Sequence, residues 1–343
     1  MKKALAALAL VAMVATGCAS SAAKSKGSSS VLRLGVFPNL THAPALVGLA
    51  KGLLQRDLGR TKLQVVPFTS GSEASNALLA GSIDASYIGP GPTVSLFIKS
   101  GKVAVVSGAA QGGASLVVRT GVTISNPADF AGKKIADPGI GNTQDVALRT
   151  WLHQNGLKAT DEGGSVTIVP LTKNSDSVQL MQQKQIDGAW LPEPYPSLLI
   201  AQGLATRFLD EKTLWPGGRF VTTNLLVSSG YLSAHPEVIK NLVKGNVDSI
   251  RFIQENASRA ATLANQELAR LGGKSLDANV LRSAWSEITF SWDPVASSLV
   301  ANARHERSLG DIDAVPSNLT SIYRLSDLNS ILRSIGQPAV TVR

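Results

Sequence analysis

The chain of 343 residues has a single cysteine, Cys18, and only four histidines, His42, His153, His235 and His305. A lone thiol excludes a disulfide framework and a thiolate metal site. No two histidines fall at the His-x-x-x-His spacing that sets two imidazoles on one helix face. The Gly-x-Ser-x-Gly elbow, the Gly-x-x-x-x-Gly-Lys phosphate loop and the glycine-rich dinucleotide fingerprint are missing too, so an enzyme has little to stand on. Aromatic residues make up 5% of the chain and nowhere interleave with a Lys/Arg cluster. The net charge of +9 therefore points to solubility or to anionic ligands rather than to nucleic acid.

The uncharged apolar run at residues 4–15 is also too short for the ~20 residues of a membrane helix. With Lys2 and Lys3 before it, it reads as a secretory signal. It ends in Ala15-Thr16-Gly17-Cys18, which resembles a bacterial lipobox and implies lipidation of Cys18; Ala15 departs from the larger aliphatic residue usual there. Residues 19–30, ASSAAKSKGSSS, contain nothing that could pack and read as a flexible tether.

What is present occurs twice. Residues 65–88 and 168–191 align without a gap at an offset of 103, matching at Val66/Val169, Pro67/Pro170, Thr69/Thr172, Ser72/Ser175, Ile83/Ile186 and Asp84/Asp187. Each copy reads as a β-branched strand, a polar turn, a helix capped by Ser72 or Ser175, an Ile-Asp turn and a short apolar strand. Upstream of each lie a further strand, 31–37 or 133–137, then a polar loop and a helix. Two similar α/β lobes are expected, with ligand held beyond the carboxyl ends of the strands. Asp84 and Asp187 are expected to bond local backbone in their turns rather than act as an acid pair.

Between the copies, strands 103–110 and 114–119, joined by Gln111-Gly112-Gly113, carry the chain across, and residues 219–229 carry it back. Beyond that the pattern is helical to the end, with Ile239, Leu242, Val243, Val247 and Ile250 on one buried face and later helices near 257–271, 277–288, 294–309 and 326–335.

Polar loops stand at strand ends immediately before helices: Asn39 to His42, Ser70 to Ser72, Gly89 to Thr93, Gly141 to Gln144 and Asn174 to Asp176. Unpaired N–H groups at a helix start and the helix dipole favour an anionic group. Thr41, Asn142 and Thr143 fit ligand contacts or plain N-caps equally, and His42 fits an anion donor or a surface residue. Trp190 and Tyr195 fit an apolar wall of a ligand pocket or core packing. Glu193 either pairs with protein donors or receives a ligand amine.

The segments ALLAGSIDASYIGPGP, GASLVVR, ADPGIGNTQDVALRTWL, QIDGAWLPEPYPSLL and LWPGGRFVTTNLLVSS, with Ala303-Arg304-His305, resemble the substrate-binding proteins of bacterial ABC importers. The resemblance spans roughly residues 31–335 and lies with the aliphatic sulfonate, taurine and nitrate group and its pyrimidine-binding relatives. It implies an α/β type II periplasmic-binding-protein fold: two α/β lobes joined by two crossover strands, with a helical C-terminal part packed on the first lobe. The expected division is residues 1–17 signal peptide, 18–30 tether, 31–111 with 224–343 lobe 1, and 112–223 lobe 2.

The resemblance further implies a monomer without a cofactor, tethered to the membrane through Cys18, that delivers a small anion to permease subunits driven by a separate ATPase. Its ligand loops fall on Asn39, Thr41, His42, Ser70, Gly71, Gly89, Gly91, Pro92, Thr93, Gln111, Gly141, Asn142, Thr143, Gln144, Trp190, Glu193 and Thr222. An aliphatic sulfonate is the expected ligand, with taurine, nitrate, bicarbonate or a pyrimidine precursor as alternatives. Two rivals are a pyrimidine-synthase-like enzyme, which needs a lysine for pyridoxal phosphate and a Cys-rich metal segment, and a basic surface protein that adheres to anionic polymers.

Overall fold

A computed structural model describes residues 31–342; the expected signal segment, Cys18 and the tether lie outside the described residues. The strands are β1 (Val31–Val36), β2 (Lys62–Pro67), β3 (Ala85–Ile88), β4 (Val103–Gly112), β5 (Ala114–Arg119), β6 (Lys134–Asp137), β7 (Thr167–Pro170), β8 (Gly188–Pro192), β9 (Ala205–Asp210), β10 (Val221–Ser228) and β11 (Ile288–Phe290). They form two sheets, ordered β11-β4-β10-β3-β1-β2 and β7-β6-β8-β5-β9. Each sheet with its helices is one lobe.

The internal repeat is a structural repeat. In the first lobe β1 pairs in parallel with β2 and β3; in the second β6 pairs in parallel with β7 and β8. Leu34 lies opposite Val65 and Ala85, and Ile135 lies opposite Ile168 and Gly188. Both partners thus keep the sequence offset of 103. Parallel strands leave their carboxyl ends on one edge, and there the following helices begin.

Asp84 and Asp187 tie these triplets together across the sheet rather than within their own turns. Asp84 accepts from the Arg33 backbone N–H at 2.8 Å and from Arg33 Nε at 3.0 Å. Its own N–H donates to Arg33 O at 2.9 Å. Asp187 repeats the motif, accepting from Lys134 N–H at 3.0 Å and Arg119 Nη2 at 2.9 Å while its N–H donates to Lys134 O. The structural role holds, but the partners lie 51 to 68 residues away, because the turn delivers each Asp beside the first residues of β1 or β6 and, for Asp187, beside the end of β5 as well.

Capping also differs from expectation. Ser70, not Ser72, caps helix Gly71–Leu79, accepting from Glu73 N–H at 3.3 Å. Ser175 stands at the cap position of helix Asp176–Gln182 without a side-chain cap bond, and Asp176 instead accepts from Lys173 N–H at 3.1 Å.

One core surrounds the first sheet, and the second sheet carries a cluster on each face. Alternation along β8 sends Trp190 into one cluster and Leu191 into the other. Helix Pro236–Glu255 buries Ile239, Leu242, Val243, Val247 and Ile250 and, with Ala257–Arg270, covers helix Ala43–Ala50 of the first lobe. Two later helices reach further. Ala278–Ser286 packs on Tyr195–Ala201 of the second lobe, and Ala296–Leu309 packs on both Pro90–Ser100 and Thr143–Gln154, one from each lobe. The stretch read as helical to the end also holds β11, which pairs antiparallel with β4; three residues are too few for the 2.0-residue period to stand out.

Asp84→Ala removes a carboxylate only 5% exposed and leaves the Arg33 N–H unpaired, while the Arg33 guanidinium, 37% exposed, turns to water, so unfolding in urea is expected to show a loss of about 1.5 kcal/mol. A loss below about 0.5 kcal/mol would show that the interstrand tie contributes nothing.

Candidate functional site

The two carboxyl edges face each other across a cleft cavity of about 60 Å³. The first lobe contributes Asn39, Thr41 and His42 from the turn after β1, Ser70 and Gly71 from the start of helix Gly71–Leu79, and Gly89 and Pro92 around the start of helix Pro90–Ser100. The second contributes Asn142, Thr143 and Gln144 from the start of helix Thr143–Gln154, and Thr222 enters from the return crossover. Phe37, Thr69, Pro138, Asn174 and Pro192 complete the wall. Phe37 and Pro138 were not foreseeable as lining residues, since an apolar strand end and a loop proline carry no chemical signature; Thr69, a position matched in both copies, stood beside the expected Ser70.

No Lys, Arg, Asp or Glu lines this cavity among the described residues. The one titratable lining group is His42, and it is buried. Its Nδ1 accepts from Phe37 N–H at 3.3 Å, so the proton of the neutral ring sits on Nε2, leaving a neutral donor. Burial pushes its pKa from 6.5 down to about 3. Asn39 Oδ1 accepts from the Thr41 hydroxyl at 2.6 Å, which orients both side chains. The first N–H groups of helix Thr143–Gln154 have no acceptor inside their own helix, whereas the Gly71 N–H at the start of helix Gly71–Leu79 is already taken by Asn142 Oδ1. The arrangement is a shell of neutral donors assembled from both lobes and suited to an anion.

Two acids that the sequence reading passed over shape the second lobe's loop. Asp137 accepts from Gly139 N–H at 2.7 Å, and Asp145 accepts from Gly141 N–H at 2.8 Å and from Arg149 Nε at 2.8 Å. Asp137 is fully buried, and burial, then the neighbouring Asp145, raises its pKa well above the ordinary carboxyl value. The signal was available: an acid closes the strand before Pro138-Gly139, and another opens the helix.

The remaining expected residues lie elsewhere. Trp190 is wholly buried against Trp151, and its indole N–H donates to Glu211 Oε2 at 2.8 Å, so it is core rather than pocket wall. Glu193 is also wholly buried; its carboxylate accepts from the Ser197 N–H at 3.3 Å and hydroxyl at 3.0 Å, with Arg207 Nη2 at 3.7 Å. Burial lifts its pKa to about 7. Only its main chain nears the cleft, Glu193 O accepting from Leu40 N–H at 3.2 Å.

Tyr195 packs against the second lobe's core. Gln111 turns its amide to Asp293 O at 3.0 Å, and the Thr93 hydroxyl donates to Gly89 O at 2.7 Å. Gly91 and Gly141 stand at the contact between lobes rather than on the cavity wall.

Comparison with known proteins agrees with this geometry. A family model described as the NMT1-like family matches residues 25–266. The taurine-binding periplasmic protein of Escherichia coli (strain K12) is 25% identical over 282 residues, covering 79% of this chain and 85% of that protein. A putative binding protein of Brucella abortus (strain 2308) is 29% identical over 232 residues, 62% of this chain and 67% of its own. Among solved structures, the alkanesulfonate-binding protein of Xanthomonas axonopodis pv. citri bound to MOPS has a TM-score of 0.73 at 18% identity, covering 88% of this chain and 100% of that one. The periplasmic nitrate-binding protein of Synechocystis has a TM-score of 0.70 at 15% identity, covering 89% of each chain.

Two lobes, two crossovers and a cleft between strand ends define the periplasmic-binding-protein fold, which the taurine- and alkanesulfonate-binding proteins above share. The chain belongs to the NMT1-like family.

Because the folded His42 pKa lies far below 6.5, the unfolded chain takes up the extra proton. The stability tied to His42 is therefore held above about pH 6.5 and lost as pH falls toward 3. Nitrogen NMR is expected to show an Nε2–H imidazole that stays neutral down to pH 5. A His42 titration midpoint near 6.5 would contradict the neutral-donor site.

Proposed function

We propose that this chain is an exported receptor, tethered through lipidated Cys18, that closes over a small organic anion and presents it to an ABC permease driven by a separate ATPase. The ligand assigned is a short alkanesulfonate, and the lobes are taken as residues 31–111 with 224–343 and residues 112–223. The observation that carries the reading is the composition of the cavity wall: hydroxyl and amide side chains and a neutral imidazole from both lobes around the start of helix Thr143–Gln154, and no ionised side chain among the described residues. A sulfonate spreads one charge over three oxygens and keeps no proton at neutral pH, so several neutral donors can replace its water. Phe37, Pro92, Pro138 and Pro192 offer apolar surface for a short alkyl group.

The same wall argues against an amino-sulfonate. An ammonium group needs a carboxylate or carbonyls, and the carboxylate expected to receive it, Glu193, is committed to Ser197 and Arg207. The enzyme rival needs a lysine at the site, and none stands among the lining residues. Compact inorganic anions form a second reading, favoured by the small cavity of about 60 Å³.

A thermal-shift panel separates these. Ethanesulfonate at a hundred times its dissociation constant is expected to add ~2.7 kcal/mol, a rise of roughly 5 °C, with taurine giving less. A response to nitrate or bicarbonate without any to sulfonates transfers the assignment to the inorganic anions. No response to any sulfonate would overturn the ligand assignment.

A further inference from the structure

Beside the cavity the lobes touch along a narrow seam made by the protein alone. Gly71 N–H, at the start of helix Gly71–Leu79, donates to Asn142 Oδ1 of the opposite lobe at 2.9 Å in a buried bond. Asn142 then donates through Nδ2 to Pro138 O at 3.1 Å and Gly139 O at 3.0 Å, so its amide spans both lobes and is fully engaged. Gly91 N–H donates to Thr143 Oγ1 at 3.4 Å, also buried, and the Ser72 hydroxyl reaches Ile140 O at 3.4 Å at the rim. Each bond joins protein to protein. The N–H groups of Gly71 and Gly91, first-turn donors of the kind an anion would use, are taken by the other lobe.

Gly91 adds an independent observation. It lies in the first turn of helix Pro90–Ser100 without a positive φ, so its own backbone does not require glycine, and alanine is the better helix former. A Cβ there would lie 3.2 Å from Gly141 O, 3.2 Å from Thr143 N and 3.3 Å from Asn142 C, all backbone atoms of the opposite lobe. Backbone cannot rotate aside as a side chain would, so relief takes a shift of a few tenths of an ångström between the lobes, and a larger one for a branched side chain. Gly89 repeats the pattern less cleanly, its added Cβ lying 2.4 Å from the Thr143 hydroxyl oxygen, which can turn.

We propose that Asn142 and Gly91 form an interlobe latch, Asn142 supplying the bond and Gly91 the clearance, which sets the balance between open and closed protein before any ligand is engaged. The proposal rests on the reading of this cleft as one that opens and closes. It assigns Gly71, Gly91 and the Asn142 amide to closure rather than to ligand contact. Loss of the latch lowers the closed fraction, and apparent affinity falls in the same proportion.

Small-angle X-ray scattering of the protein in sulfonate-free chloride buffer tests it. The unaltered protein is expected to scatter as a compact, mostly closed particle. Asn142→Ala removes the Gly71–Asn142 bond between the lobes and is expected to raise the ratio of open to closed by about fivefold, seen as a larger radius of gyration. Gly91→Ala is expected to shift the same balance toward open, and Gly91→Val further, while far-UV circular dichroism is unchanged. Wild-type protein as open as the variants, or Gly91→Val scattering like wild type, would overturn the latch. If Asn142→Ala loses its fold, the two Gly91 variants decide the question alone. The comparison contains no sulfonate and reads wild type against variants in one buffer, so failure of the sulfonate assignment leaves its outcome unaffected.

Discussion

The first N–H groups of a helix find no acceptor in their own helix, and the molecule is arranged around where those groups point. Parallel pairing of β1 with β2 and β3, and of β6 with β7 and β8, puts the strand exits of each lobe on one edge. The helices after them start on that edge. The two edges face one another, so donors from separate helices converge on a space that neither lobe encloses alone. Charge is absent from its wall, and the dipoles that remain are fixed by the fold rather than by flexible side chains.

Ionised and acidic groups stand behind this shell and shape it. Asp137 and Asp145 draw in the N–H groups of Gly139 and Gly141, which bends the loop so that Asn142 and Thr143 face the first lobe. Glu193 fixes the turn into helix Tyr195–Ala201 through Ser197, and its carbonyl takes the Leu40 N–H from the opposite ligand loop. The Ser197 hydroxyl meets Ser283 at 3.3 Å and Arg207 meets Glu287 at 2.8 Å, so contacts behind the cleft connect to the C-terminal helices. Buried carboxyl groups at such points are costly unless paired, and each of these has at least one donor within the protein, although Asp137 Oδ2 has none.

Much of the architecture was legible because it is periodic and written twice. The offset of 103 reappears in strand register, and the buried face of helix Pro236–Glu255 follows its 3.6-residue spacing. Loops at strand ends were readable as cavity-forming because a polar run before a helix has few other places to go. What stayed hidden was direction and distance. Whether Trp190 faces cleft or core depends on which side of β8 it leaves. Whether Asp84 bonds its own turn or Arg33 depends on strand adjacency that spacing alone does not encode. The commitment of Gly91 and Asn142 to the opposite lobe depends on how two lobes meet, for which one lobe's residues carry no pattern.

The central claim is that groups of both lobes hold one anion in one place. Anomalous diffraction from crystals grown with 2-bromoethanesulfonate locates the bromine without assumptions about the fit. The account predicts a single strong peak between Thr41 and Thr143, with sulfonate oxygens within hydrogen-bond distance of groups on both lobes. A peak on the outer surface, with none in the cleft, would contradict it.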